Sequence, residues 1–449
     1  MLSRLQLAPT LPSVHTFALA VFALAMIVPS SSLANTPRLE TLYQWALEHD
    51  ALYQQESQQI SASQEIIPIR RASLRPNINL SAGANYNKAF NEAPTPDSSG
   101  SNQQWSVQLN QPLFDIVAWQ RFRQAQATGN ALSAQQRSLE QRLLIRVTES
   151  FLAVLRAQVA LELTQAEHQA QKRRLKQIQQ RYKAGSLPIT DSLEAQAAFD
   201  LAQAELIAAQ NTLSNQQTVF TTIIGQPAPQ LPQLKAEFPI TPPEPKDQTA
   251  WISQAHDFNP DLISLMAQEK VALAEKKLTN RAYLPVISLT SSFTSTSGFQ
   301  ANFDIPDQEI TNIGINATMP LYRGGGIKAA KREAEWNLQA SKTAVELKKR
   351  QLSEDITTTY STIITDIQRV KAQQQAVKSA KAALKATEAS YRAGSREIVD
   401  VLLSEQQLYA AENSYANARY DYFFNSLKLH QAAGSLELKL ILALDKWFE

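Results

Sequence analysis

Residues Asn77 to Lys88 alternate: Ile78, Leu80, Ala82, Ala84 and Tyr86 fall on one parity, and Asn77, Asn79, Ser81, Asn85 and Asn87 on the other. A period of two is that of a β-strand with one apolar and one polar face. A partner strand near Gln104 to Phe114 sets Trp105, Val107, Leu109 and Leu113 against Ser106, Gln108 and Asn110. A second pair follows, with Ile287, Leu289 and Phe293, then Ile313, Ile315, Ala317 and Met319 alternating with Gly314, Asn316 and Thr318. The segments Ala89 to Ser101 and Ser295 to Gln308 are polar and turn-rich, and read as the connecting loops.

Elsewhere the period changes. From Ile116 to Lys183 no proline interrupts the chain, which permits about 100 Å of continuous helix at about 1.5 Å per residue. Leu144, Val147, Phe151 and Val154 step by three and four, the seam of packed helices. Pro76, Pro112, Pro285 and Pro320 fall at or near the strand ends, where a residue without an N–H is tolerated. The expected class is therefore mainly α with a small β part.

The chain also repeats itself. Adding 209 carries Tyr182, Ala184, Gly185, Ser186, Ile189, Asp191, Leu193 and Gly225 onto Tyr391, Ala393, Gly394, Ser395, Ile398, Asp400, Leu402 and Gly434 without a gap. Ile356, Tyr360 and Ile363 likewise answer Val147, Phe151 and Val154. A period this long is a duplicated domain-sized unit rather than a solenoid. The expected division is 1–34 as an export leader, 35–225 as the first repeat, 226–250 as a Pro-rich crossover and 251–449 as the second repeat. Each repeat runs helix, strand pair, very long helix, returning helix.

The leader rests on Arg4, the apolar run Phe17 to Val28 and the small-x-small ending Ser32-Leu33-Ala34. That run is shorter than the roughly 20 residues a membrane helix needs, so it reads as a cleaved signal peptide. No later stretch is apolar for long enough either, and membrane insertion, if any, falls to the strands. A soluble sandwich shows the same alternation, but four strands cannot close a barrel and no other strands cover their apolar face. Several chains must then each contribute four. The absence of cysteine excludes disulfides and a lipid anchor on an N-terminal Cys, and a formal net charge of +2 supplies no field for nucleic acid.

Catalytic chemistry is not legible. His15, His49, His168, His256 and His430 stand singly, without zinc-site spacing, and no thiolate is available. Gly324-Gly325-Gly326-Ile327-Lys328 lacks the spacing of a phosphate-binding loop and reads as a strand-to-helix corner. No enzyme, metal or cofactor is expected.

Several motifs, taken in order, carry a resemblance: Gln111-Pro112-Leu113-Phe114-Asp115 with Trp119 after it, Pro320-Leu321-Tyr322-Arg323 before the three glycines, Tyr391 to Leu402, and Tyr415 to Tyr422. With the duplication they make the chain similar to the TolC family of outer-membrane export ducts over essentially the whole mature sequence. The resemblance implies a homotrimer whose chains give four strands each to a twelve-stranded barrel, continued by a long α-helical barrel across the periplasm of a Gram-negative cell. It implies outer-membrane lipid around the strands, a periplasmic adaptor (membrane fusion) protein, and an inner-membrane pump, ABC-type or proton-driven. The cargo is drugs or secreted protein.

The same resemblance places a periplasmic gate on Gln180, Thr190, Asp191, Tyr391, Arg396 and Asp400. Arg396 would donate to Thr190 and Asp191, and Tyr391 to Asp191. Leu403 replaces a second carboxylate common in the family, so one carboxylate ring beside an apolar one is expected, with weaker block by divalent cations. Adaptor-contacting helix tips fall on Ala184, Gly185, Ser186, Ala393, Gly394 and Ser395. Asp191 and Asp400 are repeat equivalents, whereas the counterpart of Arg396 is Leu187. The alternative reading is a trimeric helical surface scaffold or adhesin with a small anchoring barrel. Strand pairs in mid-chain with short connections argue against it.

Overall fold

The computed structural model describes residues 38–90, 98–235, 238–300, 303–440 and 446–448. The expected leader, 1–34, and part of the first hairpin connection, 91–97, lie outside the described residues. Helices α1 (Leu39–His49), α2 (Ala51–Gln64) and α3 (Ile66–Ala72) lead into strands β1 (Asn77–Ala89) and β2 (Ser98–Phe114). Helix α4 (Ile116–Lys183) and helix α5 (Ile189–Ile224) then form a hairpin. The second repeat retraces this order with α6 (Gln248–Phe258), α7 (Pro260–Asn280), β3 (Val286–Gln300), β4 (Phe303–Thr318), α8 (Gly326–Arg392) and α9 (Ile398–Ala432). No described helix is long and apolar enough to cross a membrane.

The long helices are 68 and 67 residues, and α4 has the bounds its proline-free stretch predicts. Asp115 starts it by accepting the Ala118 N–H at 2.9 Å. Its seam is buried as read: Val147, Phe151 and Val154 have no exposed surface, and Leu144 is 3% exposed. They join Leu39, Leu42, Phe220, Ile224 and Phe423 in the main core. In the second repeat Ile356 and Ile363 pack with Trp251, Tyr422 and Leu429. Among the described residues, 226–247 carry no helix, α6 opening at Gln248 inside the expected crossover, and an antiparallel bridge between Leu234 and Phe448 ties this stretch to the C-terminal segment.

All four strands are antiparallel neighbours in the order β1-β2-β3-β4. Register puts Ile78, Leu109 and Ser291, and likewise Leu80, Val107 and Phe293, side by side on one face. Leu289 pairs with Ile315 on that same face. Trp105 and Phe293 stack there with centroids 5.1 Å apart. The other face carries amides and hydroxyls: Ser81 and Ser106 share a hydrogen bond of 2.8 Å, and Asn316 donates to Thr290 at 3.0 Å.

Two expectations on strand length are corrected. The strands run 13, 17, 15 and 16 residues, and β2 begins at Ser98 rather than near Gln104. The expected loop Ser295 to Gln308 is mostly strand, because β3 continues to Gln300 and β4 begins at Phe303. Its Ser and Thr residues read as turn formers, yet in a two-sided strand they are simply the polar rows, and β-branched Thr294 and Thr296 suit a pleated surface. Pro306 falls within the register shift opposite Thr296 and Gly298, on an edge strand, where its missing N–H breaks no ladder. Ser98–Ser101, placed in the first loop, is likewise strand.

Candidate functional site

Both helical turns are built alike. After α4, Ser186 N–H donates to Arg181 C=O and Gly185 N–H to Tyr182 C=O. After α8, Ser395 donates to Ser390 and Gly394 to Tyr391. These paired bonds form the Schellman closure, which needs a left-handed residue just past the helix. Gly185 and Gly394 supply it with φ of 75° and 78°. The tips Ala184, Gly185, Ser186, Ala393, Gly394 and Ser395 are all solvent-exposed.

Just beyond each turn a carboxylate sits in the first turn of the returning helix, where the helix dipole favours negative charge. Asp400 closes a capping box with Glu397, accepting its N–H at 3.3 Å. Arg396 Nη1 lies 3.5 Å from Asp400 Oδ1. Asp191 accepts the Thr190 hydroxyl at 3.4 Å. Within one chain, Arg396 therefore pairs with its own helix rather than with Thr190 or Asp191. Tyr391 does not reach Asp191: its hydroxyl is sheltered without a hydrogen-bond partner, under the Arg181 guanidinium 5.9 Å from the ring centroid. Gln180 makes no side-chain hydrogen bond among the described residues. Leu403 is half exposed beside Asp400, at 51%.

An apolar cluster holds the two turns together: Leu175, Ile178, Ala195, Ile398, Val401 and Leu402, flanked by Leu187, Phe199 and Tyr391. Leu187 packs into this cluster while its repeat counterpart Arg396 stays exposed, and the inequality between the repeats thus has a packing basis.

Sequence reasoning missed the strongest polar link. Arg174 on α4 donates to Glu405 Oε1 on α9 at 2.9 Å and to Glu388 Oε1 on α8 at 3.0 Å. Gln171 donates to the other Glu405 oxygen at 3.3 Å. The Arg174 and Glu405 side chains are 14% and 9% exposed. Burial pulls the Arg174 pKa down, but Glu405 and Glu388 outweigh it and the net shift is upward. Two turns back along α4 from Arg174, burial and the charges of Glu205 and Glu405 push the Glu167 carboxyl up to about 7. The signal was in the repeat: the counterparts of Arg174, Glu388 and Glu405 are Ala383, Gln179 and Gln196. A second cross-helix node is equally unrepeated. Asp421 receives Arg156 at 2.7 Å and Arg369 at 3.1 Å, and their counterparts are Thr212, Thr365 and Ala160.

A four-stranded sheet with two unpaired edges and an uncovered apolar face, carried on helices far longer than a bilayer is thick, defines a membrane channel subunit with a long extramembranous stalk. Comparison with known proteins agrees. The sequence model of the family described as "Outer membrane efflux protein" matches residues 42–226 and again 251–435, offset by the same 209 positions as the internal repeat. Outer membrane protein TolC of Vibrio cholerae is 32% identical over 421 residues, 93% of this chain and 95% of that one. Alkaline protease secretion protein AprF of Pseudomonas aeruginosa is 30% identical over 405 residues, 88% and 84% of the two chains. A crystal structure of CusC superposes with a TM-score of 0.76 at 16% identity, covering 95% of this chain and 99% of that one, a likeness of fold. The chain belongs to the outer membrane efflux protein family. It is an outer-membrane export duct with a periplasmic helical extension, and not an enzyme.

Proposed function

We propose that three copies of this chain close one twelve-stranded barrel in the outer membrane. Their α4/α5 and α8/α9 hairpins form a helical cylinder leading to an aperture at the turns. The observation that carries this reading is the sheet: β1 and β4 are unpaired edges, and Ile78, Leu80, Ile313 and Ile315 are 66–74% exposed. In the trimer, β1 of one copy pairs with β4 of the next, the apolar face meets lipid, and the amide and hydroxyl face lines the pore.

The aperture is held by the tip residues. Gln180, Thr190, Asp191, Tyr391, Arg396, Asp400 and Leu403 line it, with Arg174, Glu388 and Glu405 as the clasp behind them. Asp400 forms a single carboxylate ring that draws cations, with Leu403 as an apolar ring beside it. The tips at Ala184–Ser186 and Ala393–Ser395 receive a periplasmic adaptor, and an inner-membrane pump, ABC-type or proton-driven, supplies energy. Likeness to a chain named for alkaline protease secretion and to a family named for efflux supports both protein and drug cargo. Deleting the gene and measuring drug susceptibility alongside the secreted proteome tests this: loss of resistance or of specific secreted proteins is expected, and no change in either contradicts it.

A further inference from the structure

A polar pocket of about 500 Å³ opens beside the Arg174 clasp, lined by Arg173, Arg174, Gln177, Arg181, Glu388, Tyr391, Arg392 and Glu405, among others. Four guanidinium groups face two carboxylates there. All four carboxylate oxygens are already engaged: Glu388 by Arg174 at 3.0 Å and by Arg392 at 3.6 Å, Glu405 by Arg174 at 2.9 Å and by Gln171 at 3.3 Å. Arg173 and Arg181 have no carboxylate within 4.0 Å among the described residues. The Tyr391 hydroxyl is sheltered from solvent and has no partner, on a ring that carries the Arg181 guanidinium 5.9 Å from its centroid; a sheltered donor left unpaired costs free energy.

The donors form a stripe. Arg173, Gln177 and Arg181 are spaced i, i+4 and i+8 on α4, spanning about 12 Å between the outer Cα atoms, and Tyr391 closes the pocket from α8. Two forks with a neutral donor between them match an anion with two charged groups rather than one. The arrangement occurs once per chain: the counterparts of Arg173 and Arg181 are Ala382 and Ser390. A solvated basic face would leave the arginines but not the sheltered hydroxyl.

We propose that this pocket binds a small polyanion carrying two or more phosphate or carboxylate groups, bridging Arg173 and Arg181, and that Arg181, turning from the Tyr391 ring to the anion, uncovers the Tyr391 hydroxyl to donate to it. Bound there, the anion joins α4 to α8 next to the link Arg174 already makes. That consequence rests on the gating reading above; the binding itself does not.

The test is isothermal titration of the full-length protein in detergent with pyrophosphate and, separately, citrate, which distinguish phosphate from carboxylate recognition. Inorganic phosphate serves as the single-group control. Saturable binding of pyrophosphate or citrate, tighter than phosphate, is expected. The double variant Arg173→Gln/Arg181→Gln should weaken it about tenfold or more, and Tyr391→Phe by a smaller factor. Both arginines are exposed, so thermal unfolding of the double variant should match wild type and report an intact fold. No saturable binding of either probe, or equal affinity in wild type and the double variant, overturns the proposal. Should pyrophosphate or citrate bind without changing the open probability of single channels in planar bilayers, the gating consequence falls and the site remains.

Discussion

Replacing Arg174 with alanine is the perturbation that speaks most directly to how the proposed aperture would be held. It would leave Glu405 inside a helix seam with only Gln171 as partner, and Glu388 with the exposed Arg392. Removing one partner of a buried ion pair costs about 3–5 kcal/mol, against at most about 1 kcal/mol at a surface. At 14% and 9% exposure the Arg174–Glu405 pair lies near the buried limit, whereas Glu388 at 31% lies nearer the surface one. A coupling of about 2 kcal/mol between Arg174 and Glu405 follows, which is about thirtyfold in an equilibrium constant. If the clasp exists only in the closed aperture, Arg174→Ala should raise the open-to-closed ratio by about that factor. Glu405→Gln should have a smaller effect, since Arg174 keeps Glu388, and adding it to Arg174→Ala should restore much of the closed population by removing the stranded charge. Single-channel recording of the four proteins in planar bilayers reads all these ratios. An open probability in Arg174→Ala equal to wild type, or additive effects in the double variant, would refute the reasoning.

Glu167 sets a pH dependence of definite sign. Its carboxyl is raised from 4.5 to about 7 on folding, so the folded chain binds the extra proton and stability falls as pH rises between those values. Thermal unfolding followed from about pH 5 to about pH 8 should show that slope in wild type, and Glu167→Gln should flatten it; parallel curves would contradict the assignment. The helix-terminal glycines should respond unequally to alanine. At Gly394 a Cβ meets nothing within 4 Å, leaving only the cost of positive φ, about 1–2 kcal/mol. At Gly434 the Cβ would lie 2.4 Å from the Phe258 backbone, so Gly434→Ala should lower expression and melting temperature markedly more than Gly394→Ala. Asp400→Ala should weaken block of the pore by divalent cations, measured as conductance against cation concentration; equal block in both proteins would remove Asp400 from the pore.

Much of the fold could be read from the chain because its periods are long and clean. The α4 bounds follow from an uninterrupted helical stretch ending at a glycine turn, and the strand faces from parity at Ile78, Leu80, Trp105 and Val107. The errors arose where composition and period disagree: Ser295 to Gln300 looks like a loop by residue type but pairs as strand, since alternation decides and not polarity. Only the positions of the proposed aperture residues at the two turns could be read from the chain. Tyr391, Arg396 and Asp400 lie together at the second turn, and Thr190 and Asp191 at the first. The clasp was hidden because a lone Arg174 in a charged helix resembles any surface residue until Glu405, 231 positions away in sequence, is brought against it. Only comparison between the repeats, Arg174 against Ala383 and Glu405 against Gln196, marks those positions beforehand.

Closure of the barrel by three copies is the claim on which the rest depends, and the absence of native cysteine makes it directly measurable. Cysteine pairs placed on the polar face of the two free edges, drawn from Asn79, Ser81 and Gly83 on β1 and Asn312, Gly314 and Asn316 on β4, should cross-link neighbouring chains in isolated outer membranes. The predicted result is a non-reducing gel ladder of monomer, dimer and trimer that stops at three for at least one pair. A scan in which every pair stays monomeric, or a ladder that runs past three, would contradict the account.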